Sequence, residues 1–272
     1  MALRSALLNV MAAAARKAAR SLVRDFGEVE QLQVSRKGPA DFVSAADLRA
    51  EKVLREELHR ARPDWGLRLE ESGVLRGRDD QPVWVVDPLD GTTNFLHGLP
   101  HFAISIGVES AGEPIAGVIY DPIKDELFAA EKGQGAYLHD RRLRVSARSK
   151  LSEALIATGL PHLGRGDCER TLRELAALMP EVAGVRRYGA AALDLAYVAA
   201  GRYEGFWEWD LSSWDICAGI VIVREAGGMV GSLAGGEDAA ASGHILAAND
   251  KLFAPLGDLL RRTQRQAAAR PG

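Results

Sequence analysis

Cysteine is scarce in this chain: 272 residues carry two, Cys168 and Cys217. Two thiols give neither a disulfide framework nor zinc-finger spacing, so both read as free, inert packing residues of a reducing compartment, the cytoplasm. A long apolar run is also missing. Nothing approaches the roughly 20 residues that span a bilayer, which predicts no membrane insertion. Net charge is only −3, too small for a fold that grips nucleic acid by phosphate neutralisation alone. There is no internal repeat and no Gly-rich linker. None of the six histidines (59, 97, 101, 139, 162, 244) sits in a nucleophile–base arrangement, and all read as structural or surface residues.

What remains is an ordinary globular composition, 47% hydrophobic and 26% charged, in a chain long enough for one large domain or two joined lobes. Residues 1–24 are basic, with no acid before Asp25, as in an amphipathic transit peptide. Yet Leu7, Leu8, Met11, Ala15, Ala18, Leu22 and Phe26 fall at helical spacing and predict a packed helix from Ala2 to Phe26. Further helices are expected over Ala45–Arg62 (with Leu48, Val53, Leu54 and Leu58 on one side), Cys168–Leu178, Gly189–Ala200, Ser213–Ala226 and Leu252–Gln264. Strands are expected at Trp65–Leu69, Val83–Val86, Ala103–Glu109, Pro114–Tyr120, Glu126–Ala130, Gly135–Leu138, Leu155–Thr158, Tyr203–Trp207 and Ile245–Ala248. Strict βαβ alternation is absent, so the class is α+β or layered α/β rather than a Rossmann repeat.

The sharpest local feature is Asp87-Pro88-Leu89-Asp90-Gly91-Thr92-Thr93-Asn94-Phe95. Two carboxylates three residues apart follow a buried strand. Pro88 fixes the backbone and Gly91 permits a tight turn that can aim both acids at one point. Two carboxylates and the Leu89 carbonyl suit a hard cation such as Mg²⁺. Thr92 and Thr93 then open a short helix whose free N–H groups would favour an anion. Alone, this could be a plain Asp-Pro, Asp-Gly turn. Three further acidic segments accompany it: Asp41 to Asp47, Glu70-Glu71, and Trp214-Asp215, where the acid could equally cap a helix.

Taken together, Asp41 to Asp47, Glu70-Glu71-Ser72, Trp84 to Phe95 and Trp214 to Gly219 resemble the inositol monophosphatase superfamily, lithium-sensitive and magnesium-dependent phosphatases. The resemblance runs from the first helix to about Leu260. It implies a layered α-β-α-β-α sandwich of the inositol monophosphatase (sugar phosphatase) type. One catalytic domain would cover 1–265, with lobes at about 1–145 and 146–265, and 266–272 would be a disordered tail. By the same resemblance, two or three Mg²⁺ ions would be held by Glu70, Asp87, the Leu89 carbonyl, Asp90 and Asp215, with Asp47 and Thr92 polarising the attacking water. Phosphate would rest on Gly91, Thr92 and Thr93, and substrate hydroxyls on Gly189, Ala190, Ala191 and Glu208. Trp207 and Trp209 flank Glu208 and could mark a dimer face or a pocket wall.

Three positions depart from the family pattern. Leu69 stands where many relatives have glycine, Ser44 where threonine is usual, and Ala190 where some carry a hydroxyl. The resemblance further implies hydrolysis of myo-inositol monophosphate by a cytoplasmic homodimer, with histidinol phosphate and fructose 1,6-bisphosphate as alternative substrates. It also admits a non-enzymatic role. The extragenic-suppressor branch of the superfamily is associated with transcription antitermination, and Arg141, Arg142, Arg144, Arg148 and Lys150 form a basic cluster that could serve it or simply face solvent.

Overall fold

Alternation of side chains along each strand puts a core on both faces of the sheets. In chain order, the computed structural model contains α1 (Ala6–Phe26), β1 (Val34–Arg36), β2 (Phe42–Ser44), α2 (Ala45–Ala61), β3 (Gly66–Leu69), β4 (Gly73–Leu75), β5 (Val83–Asp90), α3 (Thr92–Leu96), β6 (Ala103–Ser110), β7 (Glu113–Asp121), β8 (Glu126–Glu131), β9 (Gly135–Leu138) and β10 (Arg141–Arg142). Then come β11 (Leu155–Thr158), α4 (Cys168–Leu178), β12 (Gly184–Arg186), α5 (Ala191–Ala199), β13 (Gly205–Glu208), α6 (Ser213–Glu225), β14 (Met229–Ser232), α7 (Ala239–Ser242), β15 (Ile245–Ala248) and α8 (Phe253–Ala268). The structure describes residues 5–29, 34–36, 42–162, 165–235 and 238–268. Asp41, the first acid of its motif, lies outside them.

Eight strands form the larger sheet, in the order β10-β9-β8-β7-β6-β5-β3-β4. Five form the smaller, β12-β11-β13-β15-β14, and β1 pairs with β2. Along β5 to β8, Trp84, Val86, Ile104, Ile106, Val108, Val118 and Ala129 pack beneath α1 and α2. The intervening residues Ala103, Ile119, Phe128 and Ala130 face α5 and α6 on the other side. A third core, with Trp207, Leu246, Leu256 and Leu260, lies between the smaller sheet, α4 and α8. The result is the expected layered α+β sandwich: helices, sheet, helices, sheet, helices.

Bare backbone sets the middle layer. A Cβ on Gly107 would lie 2.4 Å from Cys217 Sγ, and one on Gly117 would lie 2.4 Å from the Ala218 carbonyl oxygen. Helix α6 therefore rests directly on β6 and β7, which fixes the height of Asp215 in its first turn.

Several expectations need correction. Leu48 is exposed; the buried face of α2 carries Ala46, Asp47, Ala50, Glu51, Leu54 and Leu58. Cys217 is a buried packing residue as expected, but Cys168 is exposed. Helix α5 begins at Ala191 rather than Gly189, because Gly189 takes a left-handed φ of 80°. Helix α8 runs to Ala268, into the segment expected to be a disordered tail, and residues 269–272 lie outside the described set. Strands β1, β2, β4, β10, β12 and β14 and helix α7 are additions to the expected elements; each is four residues or fewer, too short to carry a periodic apolar pattern. No helix among the described residues is long and apolar enough to cross a membrane.

Candidate metal and phosphate site

Strand β5 continues through the acidic motif instead of stopping at Asp87. Asp87 pairs with Ser105 and Asp90 with Ala103, so three steps along β5 answer two along β6. That one-residue bulge turns both aspartates to the same end of the strand. Gly91 closes the motif with φ 94°, and a Cβ there would lie 3.1 Å from the His101 carbonyl oxygen. Glycine is required twice over at this position, by conformation and by space. Phe26, at the end of α1, packs on Phe95 and Phe102 at ring distances of 5.7 and 5.1 Å and supports the turn from below.

Four acids share one device: a carboxylate oxygen is tied to a backbone N–H. Leu89 N donates to Asp87 Oδ1 at 2.8 Å, and Ala192 N to Asp90 Oδ2 at 2.7 Å. Ser212 N donates to Asp215 Oδ2 at 2.7 Å, and Ser44 N to Asp47 Oδ2 at 2.8 Å. Asp47 and Asp215 both sit third in their helices, in capping boxes, so the helix-start reading of Asp215 holds alongside any ligand role. Ser44 supplies the hydroxyl of its box, so serine serves there in place of threonine. Asp47 is fully buried, and its Oδ1 has no hydrogen-bond partner.

Burial and mutual repulsion favour the protonated carboxyl form in this site. Asp87 is pushed well above the usual carboxylate range, first by burial, then by the charges of Glu70, Asp90 and Asp215 and a hydrogen bond with Glu70. Asp215 rises likewise, through burial and then Asp90 and Glu70. Burial lifts Asp90 to about 7, against the Ala192 hydrogen bond and with help from Glu208 and Glu70. Burial also takes Asp47 to about 7, with Glu71 and Glu70 adding their charge. These interactions bring Glu70, Asp87, Asp90 and Asp215 into one electrostatic group, with Asp47 beside Glu70 and Glu208 beside Asp90 and Asp215.

Among the described residues, no three His, Cys, Asp or Glu side chains are gathered into a ready metal cluster. Even so, the donor set fits a hard divalent cation: oxygen donors, each aspartate anchored at one oxygen, whose like charges ionise together only beside positive charge.

The remaining expected residues fall around this group. Thr92 Oγ1 donates to the Leu89 carbonyl oxygen at 3.0 Å, and Thr93 is exposed on α3. The Gly189–Ala191 segment abuts the motif through Asn94, whose Nδ2 donates to the Tyr188 and His101 carbonyls at 2.7 and 2.8 Å. Strand alternation on β13 aims Glu208 oppositely to Trp207 and Trp209. Both indoles donate to Glu174 of α4, at 3.0 Å each; Trp207 fills the third core, and Trp209 packs half-buried at its edge. His101 stacks on Tyr188 at 5.0 Å, and burial lowers it to about 4, keeping it neutral.

Two acids and one amide, Glu51, Asp194 and Asn94, join the site beyond the expected residues. Glu51, buried, accepts from Glu71 N at 2.7 Å and from Ser72 Oγ, and so holds the Glu70 segment against α2. It lies one helical turn after Asp47, a spacing that could have flagged it. Asp194 is buried on α5 with Oδ1 unpartnered and feels the charges of Glu208 and Asp90. A lone acid inside Ala-Leu-Asp-Leu-Ala was its signal. Asn94, inside the motif by sequence, is its clamp to the Tyr188 and His101 carbonyls.

This fold, with its group of buried acids, is that of a metal-dependent phosphatase. Residues 3–266 match the inositol monophosphatase family, to which the chain belongs. Inositol-1-monophosphatase of Rhizobium meliloti is 56% identical over 259 residues, covering 95% of this chain and 97% of that protein. Nus factor SuhB of Escherichia coli is 43% identical over 246 residues, covering 90% and 92%. The crystal structure of extragenic suppressor protein SuhB from Bartonella henselae superposes with a TM-score of 0.92 at 56% identity, covering 95% of this chain and 99% of that one.

Proposed function

We propose that the chain hydrolyses myo-inositol monophosphate to inositol and phosphate, with two or three Mg²⁺ ions held by Glu70, Asp87, the Leu89 carbonyl, Asp90 and Asp215. The observation that carries this is the convergence of anchored, mutually repelling carboxylates beside the Gly91 turn. Magnesium bound there supplies charge neutralisation for the phosphoryl group and acidifies water near neutral pH. Asp47 offers its unpartnered Oδ1 to a water proton, and Thr92, donating its own proton to the Leu89 carbonyl, keeps lone pairs to accept another. Gly91, Thr92 and Thr93 receive phosphate oxygens on backbone N–H groups. Gly189, Ala190, Ala191 and Glu208 face the leaving alcohol. Placing the nucleophile, phosphate and alcohol on three anchored segments is the positioning that slow phosphate monoesters require.

The proposal extends to lithium sensitivity, a homodimer, a cytoplasmic location and one domain over 1–265, with family membership as its support. A second role, binding a transcription partner, draws on the likeness to Nus factor SuhB. Arg141 and Arg142, exposed on edge strand β10, would be its contact.

Phosphate release from a panel of inositol 1-phosphate, histidinol phosphate, fructose 1,6-bisphosphate and glycerol phosphate, with and without Mg²⁺, tests the reading. Inositol phosphate is expected to give the highest kcat/KM, with activity lost on chelation. Equal rates with and without Mg²⁺, or no release from any ester, would refute it.

A further inference from the structure

Two residues on the leaving-alcohol side shape Glu208 and have no part in the reading above. A Cβ built on Gly159, just after β11, would lie 1.8 Å from Glu208 Oε1 and 2.5 Å from Oε2. The carboxylate therefore rests on bare backbone, and any side chain at 159 must displace it. Gly159 has no left-handed φ, so the demand for glycine comes from the neighbour and not from the turn. What would move is the tip of a flexible side chain, so the fold survives while the carboxylate relocates.

Arg187 supplies the second constraint. Its Nη1 lies 2.5 Å from where a Cβ of Gly189 would stand, so the exposed guanidinium folds over the Gly189 backbone. From there its positive charge reaches both Glu208 and Asp194. Glu208 and Asp194, neither of them in the metal set, form an acidic wall on the alcohol side, and Arg187 acts on both. Left unbalanced, such a wall attracts an ammonium group on the leaving alcohol; a guanidinium at its edge repels one.

We propose that Gly159 and Arg187 set leaving-group selectivity. Gly159 leaves the Glu208 carboxylate where it accepts hydroxyl protons, and Arg187 offsets the acidic wall so that neutral polyol esters are preferred to amine-bearing ones. This rests on the phosphatase reading of the site.

The test compares glycerol 1-phosphate with its analogue carrying an amine in place of the terminal hydroxyl. Wild type, Gly159→Ala, Arg187→Gln and Arg187→Lys are assayed with Mg²⁺. Arg187→Gln is expected to shift the kcat/KM ratio about tenfold toward the amine ester, while Arg187→Lys keeps the wild-type preference. Gly159→Ala is expected to raise KM for the glycerol ester several-fold, with a smaller change in kcat. An unchanged ratio in Arg187→Gln, an equal shift in Arg187→Lys, or an unchanged KM in Gly159→Ala would overturn the proposal. Because Arg187 is exposed, its variants decide the matter even where Gly159→Ala fails to accumulate. A wild type inactive on every ester would sink the phosphatase reading and this proposal with it; an active wild type with unaltered selectivity in the variants would sink this proposal alone.

Discussion

Asp87→Asn is expected to lower kcat/KM for inositol 1-phosphate by about a thousandfold or more, while the protein stays folded. Asparagine keeps an Oδ1 to accept from Leu89 N, so the turn survives. What it loses is the charge at the centre of the acidic group, where Glu70, Asp90 and Asp215 all act on Asp87. If that charge secures about 4 kcal/mol of phosphoryl stabilisation, the rate falls by about 10³. Stability should move the other way, because one of several crowded buried carboxylates becomes neutral. Steady-state kinetics beside a melting curve at pH 8 separates the two effects. Loss of both activity and fold would make Asp87 a structural residue. If a cellular phenotype of the gene survived the loss of hydrolysis, the partner-binding role would gain ground.

Raising the pH without divalent cation is expected to weaken the fold, and Mg²⁺ to restore it. Burial lifts Asp47 and Asp90 to about 7 and Glu208 to about 8, above the value of about 4 that carboxylates have when unfolded. The folded chain therefore holds these protons more tightly than the unfolded chain. The stability they contribute is complete below about pH 4 and is lost as pH climbs through 7 to 8. Melting temperature with chelator should thus decline from pH 6 to 9. Mg²⁺ binds the ionised form, so at about 100 times its Kd it adds about 2.7 kcal/mol, or roughly 5–10 °C at pH 8. A melting temperature flat across that range, and indifferent to Mg²⁺, would contradict the electrostatic account.

The parts that could be read in advance share a cause: each is written in local pattern. The run Val83–Val86 announces a buried strand, and Asp87 to Phe95 announces a turn with two acids. The periodicity of Leu8, Met11, Ala15 and Leu22 announces α1, whose buried face is the one observed. The parts that could not be read are set by neighbours remote in sequence. Leu48 looked apolar enough to be internal, but the inner face of α2 belongs to Asp47 and Glu51, which serve the site. Trp207 and Trp209 flank Glu208 in sequence, but the partner of both indoles is Glu174 on α4, which no local pattern announces. Neither Gly159 nor Arg187 carries a motif; their meaning comes from Glu208, 49 and 21 positions away. The bulge between Asp87 and Asp90 is likewise a property of pairing with β6, and no single strand displays it.

Diffraction from crystals soaked in Mn²⁺, read by anomalous scattering, tests most directly whether these acids hold divalent cations together. The account predicts at least two peaks among Glu70, Asp87, Asp90 and Asp215, at least one of them touching Asp87. Crystals of active protein with no peak touching Asp87, or with manganese bound only elsewhere on the surface, would contradict it.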